Sequence, residues 1–456
     1  MSKSVNSVDQ RLPANKLWTL GIQHVLVMYA GAIAVPLIIA KNLGLSEQET
    51  AMLISADLFC CGVATILQSL GVGKYIGIRM PVIMAVTFAA VPPMMAIGNN
   101  SELGIQGIFG ATIAAGIISF FFVPLIGKLK GLFPHVVTGV VITSIGISIM
   151  GVGINWAAGG SEAIAKGTYG DLRYIGTAWA VLVFILLITR FAKGFISNIS
   201  VLLGIIFGFI VAWQMGEISF AKVADASWFG IVTPFAFGMP KFEFWSILTM
   251  TIVCLIVFIE SLGMFMALGD IVEQPVDEKA LNRGLRVDAI GTVIGGVFNS
   301  FPHTSFSQNI GLVSLTGIRS RYVCVASGVI LIMFSLMPKM SAFISSIPLF
   351  VLGGAGIVMF GMVLATGIKI LSLVDYQNNR YNLYIVAISL GMGMIPIVAK
   401  DFFKYMPEYL SPLLHSGILI ATLWAVGLNI YLNHFDTILE KLGFVLPKKP
   451  LKKTAE

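Results

Sequence analysis

The chain has 456 residues, of which 57% are hydrophobic and only 11% charged, with a formal net charge of +7. Ordinary globular proteins carry roughly 25% charged residues, so the composition excludes a soluble enzyme and a disordered chain. The positive excess sits in loops between apolar runs, which is a membrane-topology pattern and gives no reason to expect nucleic acid as a partner.

Residues 1–16, MSKSVNSVDQRLPANK, contain neither an apolar core nor a cleavage site, so the first span is expected to act as the insertion signal. About 20 apolar residues cross the hydrocarbon core. Charge-free runs of that scale cover 17–40, 80–101, 103–127, 194–216, 340–368, 381–399 and 409–435, with longer ones at 131–161 and 289–318. Residues 50–73 are interrupted only by Asp57, and 244–269 only by Glu260. Together these predict 14 spans, starting near residues 17, 50, 80, 106, 134, 174, 196, 246, 284, 304, 321, 348, 382 and 411. Those near 80 and 304 are short and are expected to be half-helices.

Placing both termini and every second loop on one face puts 21 of the 29 Lys and Arg there and 8 on the other. The richer face is the cytoplasmic one, so both termini are expected inside. Cys60, Cys61, Cys254 and Cys324 all lie in apolar spans without metal-ligand spacing and read as packing residues.

An internal repeat is visible at an offset of 214. Pro124 pairs with Pro338, Pro134 with Pro348, Val137 with Val351, Gly139 with Gly353, Gly153 with Gly367 and Ile154 with Ile368. This register equates span five with span twelve, and an odd repeat unit of seven spans forces the second copy upside down. The fold class is therefore an all-α polytopic membrane protein with seven plus seven inverted spans. The same register sets RMPVIMAVTFAAV (79–91) beside NSFPHTSFSQNIGLVSLTG (299–317). Broken, polar backbone at membrane depth survives only where protein or a wet cavity satisfies it, so both segments are expected to meet at a midplane site.

Ionisable residues inside spans are candidates for function by default. Glu260 has sixteen uncharged residues before it and nine after; it is read as substrate contact or proton carrier, against a buried structural acid. Asp288 follows Arg283 and Arg286, so a helix-end ion pair competes with a proton role. Asp57 reads as structural or interfacial. His24 is a core histidine or, with Gln23, a polar pair facing a cavity. Gln308 and Asn309 each offer one carbonyl acceptor and two N–H donors, which complement a flat heterocycle with C=O and N–H edges better than a sugar or a lipid.

QNIGLVSLTG (308–317) resembles the Gln-Asn-x-Gly signature of the nucleobase-ascorbate transporter family, and Gln23–His24 matches its first-span motif. The resemblance covers about residues 15–435. It implies that Gln308 points to purines, where uracil permeases carry Glu. Met264, one turn after Glu260, stands where proton-coupled xanthine permeases carry Asp, and the chain resembles the uric acid permease branch. Gly311 and Thr316 fit the signature, while Gly317 replaces an expected Arg and leaves xanthine open as a second substrate.

The family likeness further implies substrate binding by Glu260, Gln308, Asn309, Thr87, Met264 and Ser416, and proton coupling by Glu260, Asp288 and His24. It implies a core domain (17–133 and 244–339) and a gate domain (134–216 and 340–435), with a cytoplasmic N-terminal segment 1–16, an extracytoplasmic loop 217–243 and a cytoplasmic tail 436–456. Short antiparallel strands in spans three and ten, a homodimer through the gate, proton symport driven by the proton-motive force, and no cofactor or metal also follow from it. Rival readings are a uracil or xanthine permease, an anion carrier of the same fold, and a channel. No His-Glu-x-x-His, Gly-x-Ser-x-Gly or Cys-x-x-Cys pattern supports an enzyme.

Overall fold

The structure, a computed structural model, describes residues 7–129, 133–306, 308–399, 401–407 and 410–434. The cytoplasmic tail expected over 436–456 and the first six residues of the N-terminal segment lie outside the described residues, as does the side chain of Gln308.

The first half of the chain runs α1 (Ala14–Asn42), α2 (Glu47–Leu70), β1 (Met84–Val86), α3 (Val91–Gly98), α4 (Gly104–Leu129), α5 (His135–Ala157), α6 (Gly160–Lys166), α7 (Leu172–Phe191), α8 (Phe195–Asn198), α9 (Ser200–Gln214) and α10 (Ala221–Asp225). The second runs α11 (Phe244–Val272), α12 (Glu278–Val297), β2 (His303–Ser305), α13 (Gln308–Thr316), α14 (Arg321–Ser335), α15 (Pro338–Ser345), α16 (Leu349–Leu371), α17 (Tyr381–Val398), α18 (Ser411–Leu414) and α19 (Gly417–Asn429). Among the described residues, nine helices are long and apolar enough to cross a membrane, ten if α14 and α15, bent by 81°, count as one span. The α12 helix is not one of them because Glu278, Lys279, Arg283, Arg286 and Asp288 dilute its apolar face.

The order of long helices, strand with short helix, and further long helices occurs twice. α5 and α16 begin and end 214 residues apart, which is the register of the sequence repeat. They also pack on each other. A Cβ on Gly353 would lie 2.1 Å from the Ala157 nitrogen, and one on Gly146 would lie 2.5 Å from the Leu364 nitrogen, so glycine lets the two backbones touch. These glycines therefore hold α5 to α16. Gly151 has open space around it.

Proline shapes the two broken segments. Pro81 precedes β1, and α3 opens with prolines in its first turn, where a missing N–H costs nothing; Pro302 precedes β2. The strands pair antiparallel, Met84 with Ser305, Ala85 with Thr304 and Val86 with His303, and all six residues are buried. A two-stranded sheet has open edges, which lipid cannot satisfy. Hydroxyls do so here: Thr65 of α2 accepts from the Met84 N–H at 2.9 Å, and Thr292 of α12 accepts from the His303 N–H at 3.2 Å. The loop before α11 is tied down by backbone bonds from Phe235 N to Val297 O and from Lys241 N to Gln106 O.

Candidate functional site

The crossed strands form the floor of the site, and α11 runs past them, touching β2, α13, the short turn Phe88–Ala90, α18, α19 and α5. Thr87 follows β1 directly. Its N–H donates to Pro302 O at 3.0 Å, and its hydroxyl accepts from the Ala89 N–H at 3.1 Å, capping the turn that leads into α3. Ser416 is wholly buried and caps α19 by accepting from the Leu419 N–H at 3.4 Å. Both hydroxyls thus sit where a helix starts beside α11.

Asp288 is fully buried and makes no ion pair with Arg283 or Arg286. Its carboxylate accepts from Ser261 Oγ at 2.5 Å, Ser305 Oγ at 3.1 Å and Gln68 Nε2 at 3.3 Å. Gln68 is the residue that sequence reasoning missed. Its amide also donates to Gly284 O at 3.1 Å, and its carbonyl accepts from the Ile78 N–H at 3.1 Å, so one buried side chain joins α2, α12 and the strand region. An uncharged residue in a helix gives no sequence signal of this kind. Ser261, next to Glu260 on α11, carries the network onward, with its hydroxyl 3.2 Å from Thr304 Oγ1.

Glu260 is half-buried and makes no hydrogen bond among the described residues. It lines a cavity of about 10 Å³ between Ile256 and Ile259 of its own helix and Thr138, Val141, Ile142 and Ile145 of α5. That is room for about one water, against some 300 Å³ or more for a typical ligand pocket. The acid therefore sits in a narrow seam between α11 and α5.

His24 of α1 is buried against α13. Asn309 Nδ2 lies 3.0 Å from His24 O and 3.0 Å from His24 Nδ1. A carbonyl only accepts, which fixes the amide orientation, so His24 Nδ1 is the bare nitrogen. Asn309 Oδ1 is buried without a partner among the described residues. Gln308 begins α13. Met264 packs in the apolar cluster with Ile78, Val82 and Phe258. Gln23 is half-buried, Gly311 has open space around it, and the Thr316 hydroxyl bonds back to Leu312 O. Gly317 ends α13 with φ of 65°, and its N–H donates to Val313 O at 3.0 Å; an Arg at this position would be strained.

The arrangement of two half-helices on crossed strands, with buried acids at their side, was compared with known proteins. The model of a permease family, typified by xanthine and uracil carriers, matches residues 15–402. The chain belongs to the nucleobase-ascorbate transporter family. This permease is 61% identical to the uric acid transporter UacT of Escherichia coli (strain K12), over 97% of this chain and 92% of that one. It is 47% identical to the xanthine permease of Bacillus subtilis (strain 168), covering 92% and 94% of the two chains, and 44% identical to the uric acid permease PucJ of the same strain, covering 92% and 93%. Among solved structures, the transmembrane domain of the cyanobacterial bicarbonate transporter BicA is similar at a TM-score of 0.60 and 16% identity, covering 92% of this chain and all of that one. Murine Slc26a9 is similar at 0.59 and 12%, covering 95% and 70%. At such identities the likeness is one of fold: a polytopic membrane architecture of the seven-plus-seven type. The permease is a transporter, not an enzyme.

Proposed function

We propose that this permease imports uric acid, and xanthine as a second substrate, across the bacterial inner membrane by proton symport. The observation that carries the reading is Asn309 Oδ1, buried at the second half-helix without a hydrogen-bond partner among the described residues, with the Glu260 carboxylate in the seam between α11 and α5 as the second acceptor. A purine presents ring N–H groups on opposite edges, and two such acceptors match them, while a bare inorganic anion has no use for Glu260. The names of the relatives in both species favour the same cargo.

In this reading, Glu260, Gln308 and Asn309 hold the ring and Thr87, Ser416 and Met264 shape the pocket. The hydroxyls of Thr87 and Ser416 are already engaged in caps, so they present helix-start N–H groups and the positive end of a dipole toward an anionic ring. Urate is largely an anion near neutral pH. Moving one charge against an inside-negative potential costs about 2.3 kcal/mol per 100 mV, and a proton carried on the Glu260, Ser261 and Asp288 network, adjusted by His24, removes that cost. The narrow seam at Glu260 means that cargo enters only when α5 and α11 part. That fits a core (17–133, 244–339) moving against a gate (134–216, 340–435), within 14 spans, both termini cytoplasmic and the gate pairing two copies.

Uptake of labelled uric acid, xanthine, uracil and ascorbate into cells lacking their own permeases tests this. Uric acid accumulation that an uncoupler abolishes is the expected result. Accumulation of uracil alone, or downhill flux indifferent to the uncoupler, would overturn it.

A further inference from the structure

Behind the crossed strands lies a second polar cluster that the transport reading does not use. Asp57 and Cys61 are one helical turn apart on α2, and His303 is the first residue of β2; their donor atoms all lie within 4.8 Å of one another, and all three residues are buried. Cys61 Sγ is 3.6 Å from Asp57 Oδ2 and 3.5 Å from His303 Nε2. Cys61 had been read as simple packing; the fold instead turns it toward two other donors.

With Asp57 ionised, the hydrogens do not suffice for this cluster. Phe301 O, 2.7 Å from His303 Nδ1, can only accept, so the ring hydrogen is on Nδ1 and Nε2 offers a lone pair. Asp57 Oδ1 accepts from Ser300 Oγ at 2.7 Å, and Oδ2 offers another. One thiol hydrogen must therefore serve both the carboxylate and the imidazole. We propose that Asp57, Cys61 and His303 bind one borderline-soft divalent cation of the Zn²⁺ type, pinning α2 to β2 behind Thr87.

Three features favour a metal over a shared proton. Donor separations of 3.5 and 3.6 Å match the edges of a tetrahedron built on bonds of about 2.0–2.3 Å. Carboxylate, thiolate and neutral imidazole exactly balance two positive charges, and a neutral complex is what this depth tolerates. The outer contacts are those that orient ligands: a carbonyl behind the imidazole and a hydroxyl on the carboxylate. Three protein donors leave a fourth position for a water. Ala56 and Asn299, the neighbours of Asp57 and Ser300 in the chain, line a cavity of about 650 Å³ beside Thr233 and Asp225.

The test uses tag-free, full-length protein in detergent, stripped with chelator and titrated with Co²⁺. A thiolate-to-cobalt charge-transfer band is expected, saturating near about one ion per chain, displaced by Zn²⁺, lost in Cys61→Ser and kept in Cys254→Ser. X-ray absorption on the Zn²⁺-loaded wild type needs no variant and should show one sulfur at about 2.3 Å with lighter ligands near about 2.0 Å. A band that survives Cys61→Ser, a zinc shell without sulfur, or no binding at all would overturn the proposal and leave the cluster held by a shared proton.

Discussion

Asn309 commits its amide nitrogen to His24, donating to both the backbone carbonyl and Nδ1 at 3.0 Å, and leaves its oxygen unspent. The link binds the first span to the second half-helix, and it sorts the side chain into a structural end and a free end. Asn309→Asp keeps an oxygen and removes the donor, setting acceptor against acceptor. A loss of about 1–3 kcal/mol is expected for the buried unpaired groups, read as a lower melting temperature together with lost uptake. Unchanged stability would show that the His24 contact is not formed in the membrane.

Glu260→Gln keeps the shape and removes the charge. Protein should reach the membrane in normal amount, concentrative uric acid uptake should fall to background, and any residual exchange of uric acid should no longer respond to an uncoupler. Wild-type accumulation in this variant would remove Glu260 from the mechanism.

Gln68→Leu strands the Ile78 N–H and removes one contact each from the Gly284 carbonyl and from Asp288. Each buried polar group left alone costs about 1–3 kcal/mol, so a drop in thermal stability larger than that of Ser261→Ala is expected. Equal effects would mean that Gln68 is not the hub of the network.

Gly353→Val puts side-chain atoms where the Ala157 backbone lies. Overpacking of a closed helix crossing costs typically 1–3 kcal/mol or more, and poor expression or a lowered melting temperature should follow, whereas Gly151→Ala, in open space, should be silent.

At the surface, Arg319 donates to Glu273 at 2.6 Å, and this hydrogen bond together with the guanidinium charge holds the Glu273 carboxyl below the usual carboxylate range. A depressed folded value means that the bridge contributes above the unfolded pKa of about 4.3 and fades as pH falls through the lower folded one. Melting curves of wild type and Glu273→Gln should converge below about pH 4 and with added salt; a gap that widens in acid would reverse the assignment.

The repeat, the broken segments and the strand positions were legible because prolines, glycines and charge-free runs act locally. Pro81 and Pro302 sit before the strands they help end, and the 214-residue register reappears as matching helix limits. What stayed hidden depends on pairs far apart in the chain. Gln68 carries no charge and breaks no run, so nothing local separates it from Gln23. Cys61 acquires meaning only when β2 brings His303 against it. Asp288 looked pairable with its neighbouring arginines because sequence shows proximity along a helix, while the helix turns the acid inward and the cations outward. The α14–α15 bend also escaped the apolar pattern, since Pro338 was assigned to the repeat rather than to a break.

The strand pairing has a consequence for biosynthesis. Met84 and its contact Ser305 are 221 residues apart, so the first strand leaves the ribosome roughly 10–40 s before its mate at ordinary elongation rates. During that interval the backbone of β1 lacks its strand partner, although the Thr65 hydroxyl meets the Met84 N–H and the Ser69 hydroxyl the Val82 carbonyl. The nascent chain must therefore be kept from lipid by the insertion machinery, and a truncated first half on its own should be a poor substrate for stable integration.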